Sequence, residues 1–501
     1  MAGLAGVLLM QLSPLQGMIC VGLVAVVIGT LIEPFVGLAT ALFLGPLRAY
    51  LGAEVPQVPA QIGHVFIVLA LGSWLARRLA QRDVRVTESP VLLPLFAFLG
   101  AVLLSLWDAT GAVAFGVPEL VKWVQIGLLG IFGSQHLLGE GGLNVGPGEA
   151  SLRARRLRWL VVVVLSVGLF QAGVGIWQFA FRGEGPEHFA ILGGAFSRAY
   201  GTFEQPNPYG GYLGLTAALA LGLAADGIRS HVANGHVTEP EGGGAAQPGL
   251  GAGACQPIGL PLSVFAGGAG LVMLAALGAS WSRGAWMGFG MALLAMAVSL
   301  PRRVAWGLLL GTLLVIVGLG LYTSGQLPPS LTARLTSFVR DIRLEDVRGM
   351  PISEANYAVI ERLAHWQAAL SMFRHNLWVG IGFGCYEAAY STFALINWPI
   401  ALGHAHNYYL NLAAETGLIG LLTYGSLWIV IFWQTWRVTR RGRGLTRGLA
   451  VGLFGTWVHI SVHHLLDSLY VNNAHLLIGV LFGILMLGIQ QTRGTMSRYD
   501  R

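Results

Sequence analysis

The run Gly403, His404, Ala405, His406, Asn407, Tyr408, followed by Glu415, Gly417 and Gly420, puts two imidazoles and a carboxamide where a long polar loop turns into an apolar helix. Histidine exchanges protons near neutral pH, so such a pair can serve a substrate whose head group lies at a membrane surface while its tail stays in lipid. A plainer reading of the same residues is that His404 and His406 cap the helix start as interfacial polar groups. Three arginines stand out beside them: Arg198 ahead of Gly201-Thr202-Phe203 and Asn207, Arg283 within Ser280-Trp281-Ser282-Arg283-Gly284, and Arg362 ahead of His365 and Trp366. A guanidinium is planar, permanently charged and able to grip phosphate with two hydrogen bonds, and a diphosphate carries enough charge to need more than one such partner. Each has a structural alternative. Arg198 can snorkel, and Arg362 has Glu354 and Glu361 nearby for a solvated ion pair. Arg334, Arg340, Arg343, Arg348 and Arg374 interleave with Asp341, Glu345 and Asp346 and read as a mixed polar surface.

The elements that hold these residues are membrane helices. Hydrophobic residues make up 54% of the 501, charged residues 11%, and mean hydropathy is +0.65, which excludes an ordinary water-soluble globular protein. The formal charge of +7 comes with no nucleic-acid motif; the arginines gather in short turns between apolar runs, as membrane topology requires. Cys20, Cys255 and Cys385 are too scattered for a disulfide framework or a CxxC metal site. The start of the chain has no basic n-region and reads as a retained span. Most of the 71 glycines are expected to serve close helix packing in lipid.

Apolar runs fall near 61–80, 89–107, 117–137, 157–180, 208–225, 262–279, 284–299, 303–322, 407–436, 447–466 and 473–490. The run 17–51 is broken by Glu33-Pro34 and makes one kinked span or two short ones. Counted once, it gives about 12 crossings. Threading them in order puts the clusters at Arg77–Arg85, Arg153–Arg158, Arg302–Arg303 and Arg437–Arg447 on one side, which the positive-inside rule assigns to the cytoplasm. Residues 226–260, rich in Gly, Ala and Pro, are expected there as a flexible linker. Arg198, Arg283, Arg362, His404 and His406 then share the outer face. Residues 323–405 form one long loop on that face, with Trp366, Phe373, Trp378 and Tyr386 at amphipathic spacing, and are expected to fold as a helical cap.

Outer arginines around a histidine suit a lipid-linked diphosphate substrate, with the arginines holding the departing diphosphate and the histidine taking a proton from an attacking hydroxyl. No nucleotide-binding motif is present, so the energy for transfer would come from the sugar-diphosphate bond itself.

His406-Asn407, nine residues, then Gly417-Leu418-Ile419-Gly420 resembles the His-Asn and Gly-x-x-Gly motif of the O-antigen ligase and O-antigen polymerase superfamily of bacterial membrane glycosyltransferases. Arg198 with Gly-Thr-Phe and Asn207, Ser282-Arg283-Gly284, and Arg362 with Trp366 ahead of Gly380-Ile381-Gly382-Phe383-Gly384 support it in the same order, over about residues 190–490. The resemblance implies an all-α polytopic membrane fold like those of lipid-dependent glycosyltransferases, with an outer loop capping the site. It implies inverting, metal-independent transfer of a glycan from undecaprenyl diphosphate to an acceptor hydroxyl, on lipid A core or on a second lipid-linked glycan. By position, His406 resembles the family's general base, Arg283 and Arg198 its diphosphate binders, and Arg362 a further candidate; His404 would orient His406 or the acceptor. No cofactor or nucleic acid is implied, and the setting is the bacterial inner membrane with the site on its periplasmic face.

The corresponding organisation is N-terminal helices over 1–190, helices with outer arginine turns over 191–322, the cap over 323–405, C-terminal helices with the His-Asn motif over 406–490, and a cytoplasmic tail over 491–501. Glu415, about 13 Å along the helix from His406, reads as a buried structural group. Asp467 can fix an imidazole tautomer or touch the acceptor, while His463, His464, Asp467 and His475 with His404 form a zinc set whose spacing fits no metal motif well. Two other functions stay open. A protein O-oligosaccharyltransferase usually carries an extra C-terminal domain, and a solute transporter of the bicarbonate type should show mid-membrane charges and internal repeats, whereas Glu33 and Lys122 are isolated in the sequence.

Overall fold

The computed structural model describes residues 13–499 apart from 57, 60, 84–87, 108, 110–111, 139–146, 236–257, 342–345 and 354–355. It is built of helices, with one two-stranded antiparallel ribbon, β1 (Ala190–Ile191) and β2 (Phe196–Ser197). The chain divides into two compact units, residues 1–86 and 87–501.

In the first unit lie α1 (Pro14–Ile32), α2 (Pro34–Leu44), α3 (Arg48–Glu54) and α4 (Ile62–Ala80). Ser13 and Gln16 cap α1 reciprocally, and Pro34, which cannot continue a helical ladder, opens α2 after the break at Glu33. The stretch 17–51 is therefore three pieces, with α2 and α3 bent by 60°.

The second unit contains α5 (Leu92–Trp107), α6 (Val113–Leu138), α7 (Pro147–Ala180), α8 (Pro206–Gly235), α9 (Leu260–Ala279), α10 (Arg283–Ser299) and α11 (Val304–Thr323). The cap follows as α12 (Pro329–Asp341), α13 (Tyr357–His375) and α14 (Tyr386–Phe393), then α15 (Tyr408–Arg441), α16 (Gly444–His463) and α17 (Ala474–Tyr499). α16 is central, packed on α8 and α10; α9 lies on α8, and α17 on α6. These contacts use glycine: a Cβ at Gly452 would lie 2.7 Å from the Leu219 backbone, so α8 and α16 touch main chain to main chain.

Among the described residues, eight helices are long and apolar enough to cross a membrane, or nine if the bent α2–α3 pair is one span. The class expected from the sequence holds, but length and composition do not reproduce the count of 12. α5 and α10 have 16 and 17 residues, and α16 carries Arg447, His459 and His463 along its length. The expected linker is helical to Gly235, and its residues 236–257, with Cys255, lie outside the described residues.

The cap folds as helices around two small apolar clusters, one of Ala368, Ala369, Met372, Tyr386, Tyr390 and Ala405, the other including Val359, Leu363 and Trp398. It is locked to α15 at a break. Gly417 has φ +62° and ψ −161°, and a Cβ there would lie 2.4 Å from the Trp378 backbone. The carbonyls of Leu377 and Trp378 accept the N–H groups of Leu418 and Ile419 at 2.8 and 3.2 Å, while those of Ala414 and Glu415 accept from Ile381 and Gly382. The glycine-rich segment 380–384 thereby satisfies backbone groups that the broken helix leaves open.

Candidate functional site

The site is built where α15 begins. Asn407 is its N-cap: the side-chain Oδ1 accepts the N–H groups of Tyr409 and Leu410 at 3.0 and 3.1 Å. Capping thus falls to Asn407, and the two histidines precede it in non-helical backbone. His406 has φ +51°, a conformation that side chains other than glycine seldom adopt. Two hydrogen bonds hold it there: His404 Nδ1 accepts the His406 N–H at 3.0 Å, and Asn411 Oδ1 accepts the Ala405 N–H at 3.0 Å.

The turn after α16 brings Asp467 to both imidazoles. The Tyr408 N–H donates to the His464 carbonyl at 2.8 Å, joining the start of α15 to the end of α16. Asp467 Oδ1 then lies 3.6 Å from His404 Nε2 and 3.6 Å from His406 Nδ1. Burial alone would raise the Asp467 carboxyl; the His406 N–H, both imidazoles and Arg362 outweigh it and hold it well below the usual carboxylate range. His404 moves the other way. Burial, against the opposing pull of Asp467 and aided by His406, Arg362 and Lys122, lowers it to about 4, so it is neutral at neutral pH.

The tautomers follow from these contacts. His404 Nδ1 accepts a hydrogen bond, so the ring's one proton is on Nε2, facing Asp467. His406 turns Nδ1 to the same carboxylate, which favours a proton there and leaves its Nε2 lone pair as a base. His404, His406 and Asp467 also lie close enough to be considered as a metal set, with ligand atoms within 4.8 Å of one another. The His404 tautomer argues against that use, because a protonated Nε2 cannot ligate. The wider zinc set read in the sequence is not brought together: His464 Nε2 accepts the Leu469 N–H, and His475 Nε2 bonds Gln125.

Asp467 also forms one wall of a cavity of about 210 Å³, which is lined by Arg198, Arg283, Arg334 and Arg362. Arg198 is set by bonds to the Ser280 carbonyl at 3.0 Å and Asn207 Oδ1 at 3.1 Å. Ser282 caps α10 by accepting the Ala285 N–H, which makes Arg283 the first helical residue. Arg362 projects from α13, and its charge reaches Asp467, His404 and His463.

Arg334 is the residue that sequence reasoning missed. Read as mixed surface, it instead lines the cavity from α12 and donates to the Trp281 carbonyl at 3.2 Å. Among the described residues of that group, Arg348 shows the expected pairing, with Asp346. Burial, then the charges of Arg334, Arg362 and Arg283, pulls the Arg198 pKa down; Arg334 is lowered similarly, and both guanidiniums remain protonated at neutral pH.

His365, one turn beyond Arg362, is also in the group, its ring 6.1 Å from that of His406 and its Nδ1 2.9 Å from the Tyr386 hydroxyl. Glu415 lies apart, accepting the Tyr386 N–H at 3.1 Å in a structural contact. Lys122 is not isolated; it pairs with Glu119 and donates to the Tyr470 carbonyl.

Residues 268–425 match the family described as O-antigen ligase. That segment holds Arg283, Arg334, Arg362, His404 and His406, whereas Arg198 and Asp467 reach the site from before and after it. No curated protein matches the chain. Over that segment, about a third of the 501 residues, this nearly all-helical membrane chain is similar to the O-antigen ligase family.

Proposed function

We propose that the protein transfers a glycan from a lipid-linked diphosphate, of the undecaprenyl type, to an acceptor hydroxyl at the outer face of the bacterial inner membrane. One observation carries the reading: Asp467, which faces both His404 and His406, also lines the four-arginine cavity, so a base and an anion site share a wall.

In the reaction, His406 Nε2 takes the proton of the acceptor hydroxyl as its oxygen bonds to the anomeric carbon. The bond from that carbon to the diphosphate oxygen breaks on the opposite side, so configuration inverts. Asp467 stabilises the imidazolium that forms, and Arg198, Arg283, Arg334 and Arg362 take up the charge developing on the diphosphate. No metal is required.

Depth supports a lipid-borne substrate. Asp226 and Arg447 meet at the far end of α8 and α16. From there to Asn207 along α8 is about 28 Å, and to His463 along α16 about 24 Å, close to one hydrocarbon thickness. A phosphate in the cavity would sit where an interfacial head group belongs. The arginine-rich turns at Arg302–Arg303 and Arg437–Arg447 favour the cytoplasm for that far end and hence the periplasm for the site.

The test is transfer from an undecaprenyl-diphosphate glycan in nanodiscs, comparing the unmodified protein with His406→Ala and Arg283→Ala at matched folding. Loss of about 10²–10⁴-fold in kcat is expected for His406→Ala. Normal transfer by that variant removes the proposed base. A single product on lipid A core marks a ligase, a ladder of lengths a polymerase, and labelled Ser or Thr a protein acceptor.

A further inference from the structure

α16 presents two imidazoles to the bundle one turn apart, and the structure treats them differently. His459 and His463 are both completely buried, with ring centroids 5.8 Å apart. His459 has a backbone partner, with Nε2 3.0 Å from the Gly211 carbonyl. For His463, neither ring nitrogen completes a well-formed hydrogen bond among the described residues, its nearest backbone contact being a weaker one to Gly284. Its polar neighbours are the Gly284 backbone and Asp467, and Asp467 Oδ1 already faces His404 and His406 and accepts the Ser468 N–H at 2.9 Å. A buried polar ring left in this state calls for a ligand.

His463 lines the arginine cavity. Room for the ring comes from two glycines: a Cβ at Gly211 would lie 3.1 Å from His463 Cε1, and one at Gly284 3.4 Å from Cε1 and Nδ1. Gly284 also belongs to the first turn of α10, whose N-terminal N–H groups and dipole favour an anion beside Arg283.

We propose that His463 is a binding residue of this cavity, its imidazole N–H donating a hydrogen bond to a phosphate oxygen of the lipid diphosphate. The inference rests on the diphosphate reading of the cavity. With neither nitrogen committed, the neutral ring can place its single proton on the cavity side, adding a directional donor without adding a fifth positive charge to four crowded guanidiniums. His406 acts on the acceptor; His463 acts on the donor, so its loss should raise the donor KM more than it lowers kcat and should leave the pH profile in place.

The experiment measures binding of undecaprenyl diphosphate, and separately of inorganic pyrophosphate, to the full chain in nanodiscs. His463→Leu should weaken both roughly tenfold or more, His463→Asn should restore most of the loss through its amide N–H, and His406→Ala should bind normally. Weakening of the lipid alone would assign His463 to the tail or its path and overturn the phosphate contact. If Arg283→Ala abolishes binding while His463→Leu binds and turns over like the unmodified protein, the inference fails and the cavity reading survives. If neither variant changes binding, the diphosphate reading itself fails. Nitrogen NMR of the unmodified protein labelled at histidine and arginine avoids reliance on folding of a variant. A His463 ring signal that moves on pyrophosphate addition supports the contact, and one that stays still while the Arg283 signals move overturns it.

Discussion

Buried arginine is used in opposite ways at the two ends of the second unit. At the end read as cytoplasmic, Arg447 is completely buried, pairs with Asp226, and donates to the carbonyls of Thr439 and Leu300. Arg302 and Arg440 each donate to the other's backbone carbonyl across neighbouring turns, and Arg440 lies over the Trp436 ring. At the other end, four guanidiniums line one cavity together with the carboxylate of Asp467, which itself faces two imidazoles. The first arrangement turns its guanidiniums onto Asp226 and backbone carbonyls within the protein. The second lines a cavity, where on the proposed reading the guanidiniums also serve an anion from outside.

The sharpest break between the ends is expected from single substitutions. Arg447→Ala removes the buried partner of Asp226, leaving the carboxylate only the half-exposed Arg229, and should cost up to about 3–5 kcal/mol, enough to lower the yield of monodisperse protein. Pairing it as Arg447→Met with Asp226→Leu should recover most of that loss, because an apolar pair needs no compensation. Arg283→Ala should do the reverse, leaving folding nearly intact while transfer falls about 10²–10³-fold. Unfolding midpoints in detergent beside turnover numbers decide it. The comparison breaks if Arg283→Ala unfolds the protein, or if Arg447→Ala is as stable as the unmodified chain.

Much of this contrast was legible in the sequence, and the rest was hidden for a physical reason. The membrane class, the helical cap and the candidates Arg198, Arg283, His404 and His406 follow from hydropathy, arginine asymmetry and short-range spacing, which are local properties. Arg334 was not legible. It sits in a stretch of mixed charge whose composition matches a solvated surface, and only the docking of α12 over the α9–α10 turn brings it to the cavity. Asp467, already a candidate in the sequence for fixing an imidazole tautomer, is 61 positions from His406, and the bond from the Tyr408 N–H to the His464 carbonyl that unites them leaves no periodic trace. The count of 12 is not reproduced by length and composition at α5, α10 and α16, where helices packed by protein on several sides need be neither long nor uniformly apolar.

Acid should sharpen the comparison by loosening the outer end first. Burial, then the charges of His406 and His404, lowers His365 to about 4; His404 is also held at about 4, by burial first. Between about pH 6.5 and 4 the unfolded chain therefore binds more protons at these groups than the folded one, and stability falls as pH falls through that window. Each group should contribute on the order of 1 kcal/mol. The Asp467 carboxylate, held below its ordinary range, keeps its contribution above about pH 4 and loses it only in stronger acid. Hydrogen exchange at pH 7 and pH 5 should show protection lost in α13 and residues 403–408 before the cytoplasmic half of α16, and His404→Gln should flatten the trend. Uniform loss along α16 would mean that the two ends unfold as one.

The smallest expected effect concerns the cluster that most resembles a metal site. Two histidines and an aspartate with ligand atoms within 4.8 Å could chelate a divalent ion, and the arginine-bound Asp226 could not. Chelation would require His404 to offer a lone pair at Nε2. Its Nδ1 already spends the ring's lone pair on the His406 N–H, and breaking that bond would release the backbone at φ +51° that aims the base. Turnover should therefore change by less than twofold after EDTA treatment, within the accuracy of the assay. Added Zn²⁺ should inhibit, because metal on Asp467 and His406 removes the base and its orienting carboxylate together. Loss of activity on chelation, restored by a divalent ion, would make the outer end a metal site and assign the arginines to a ligand that the ion helps to hold.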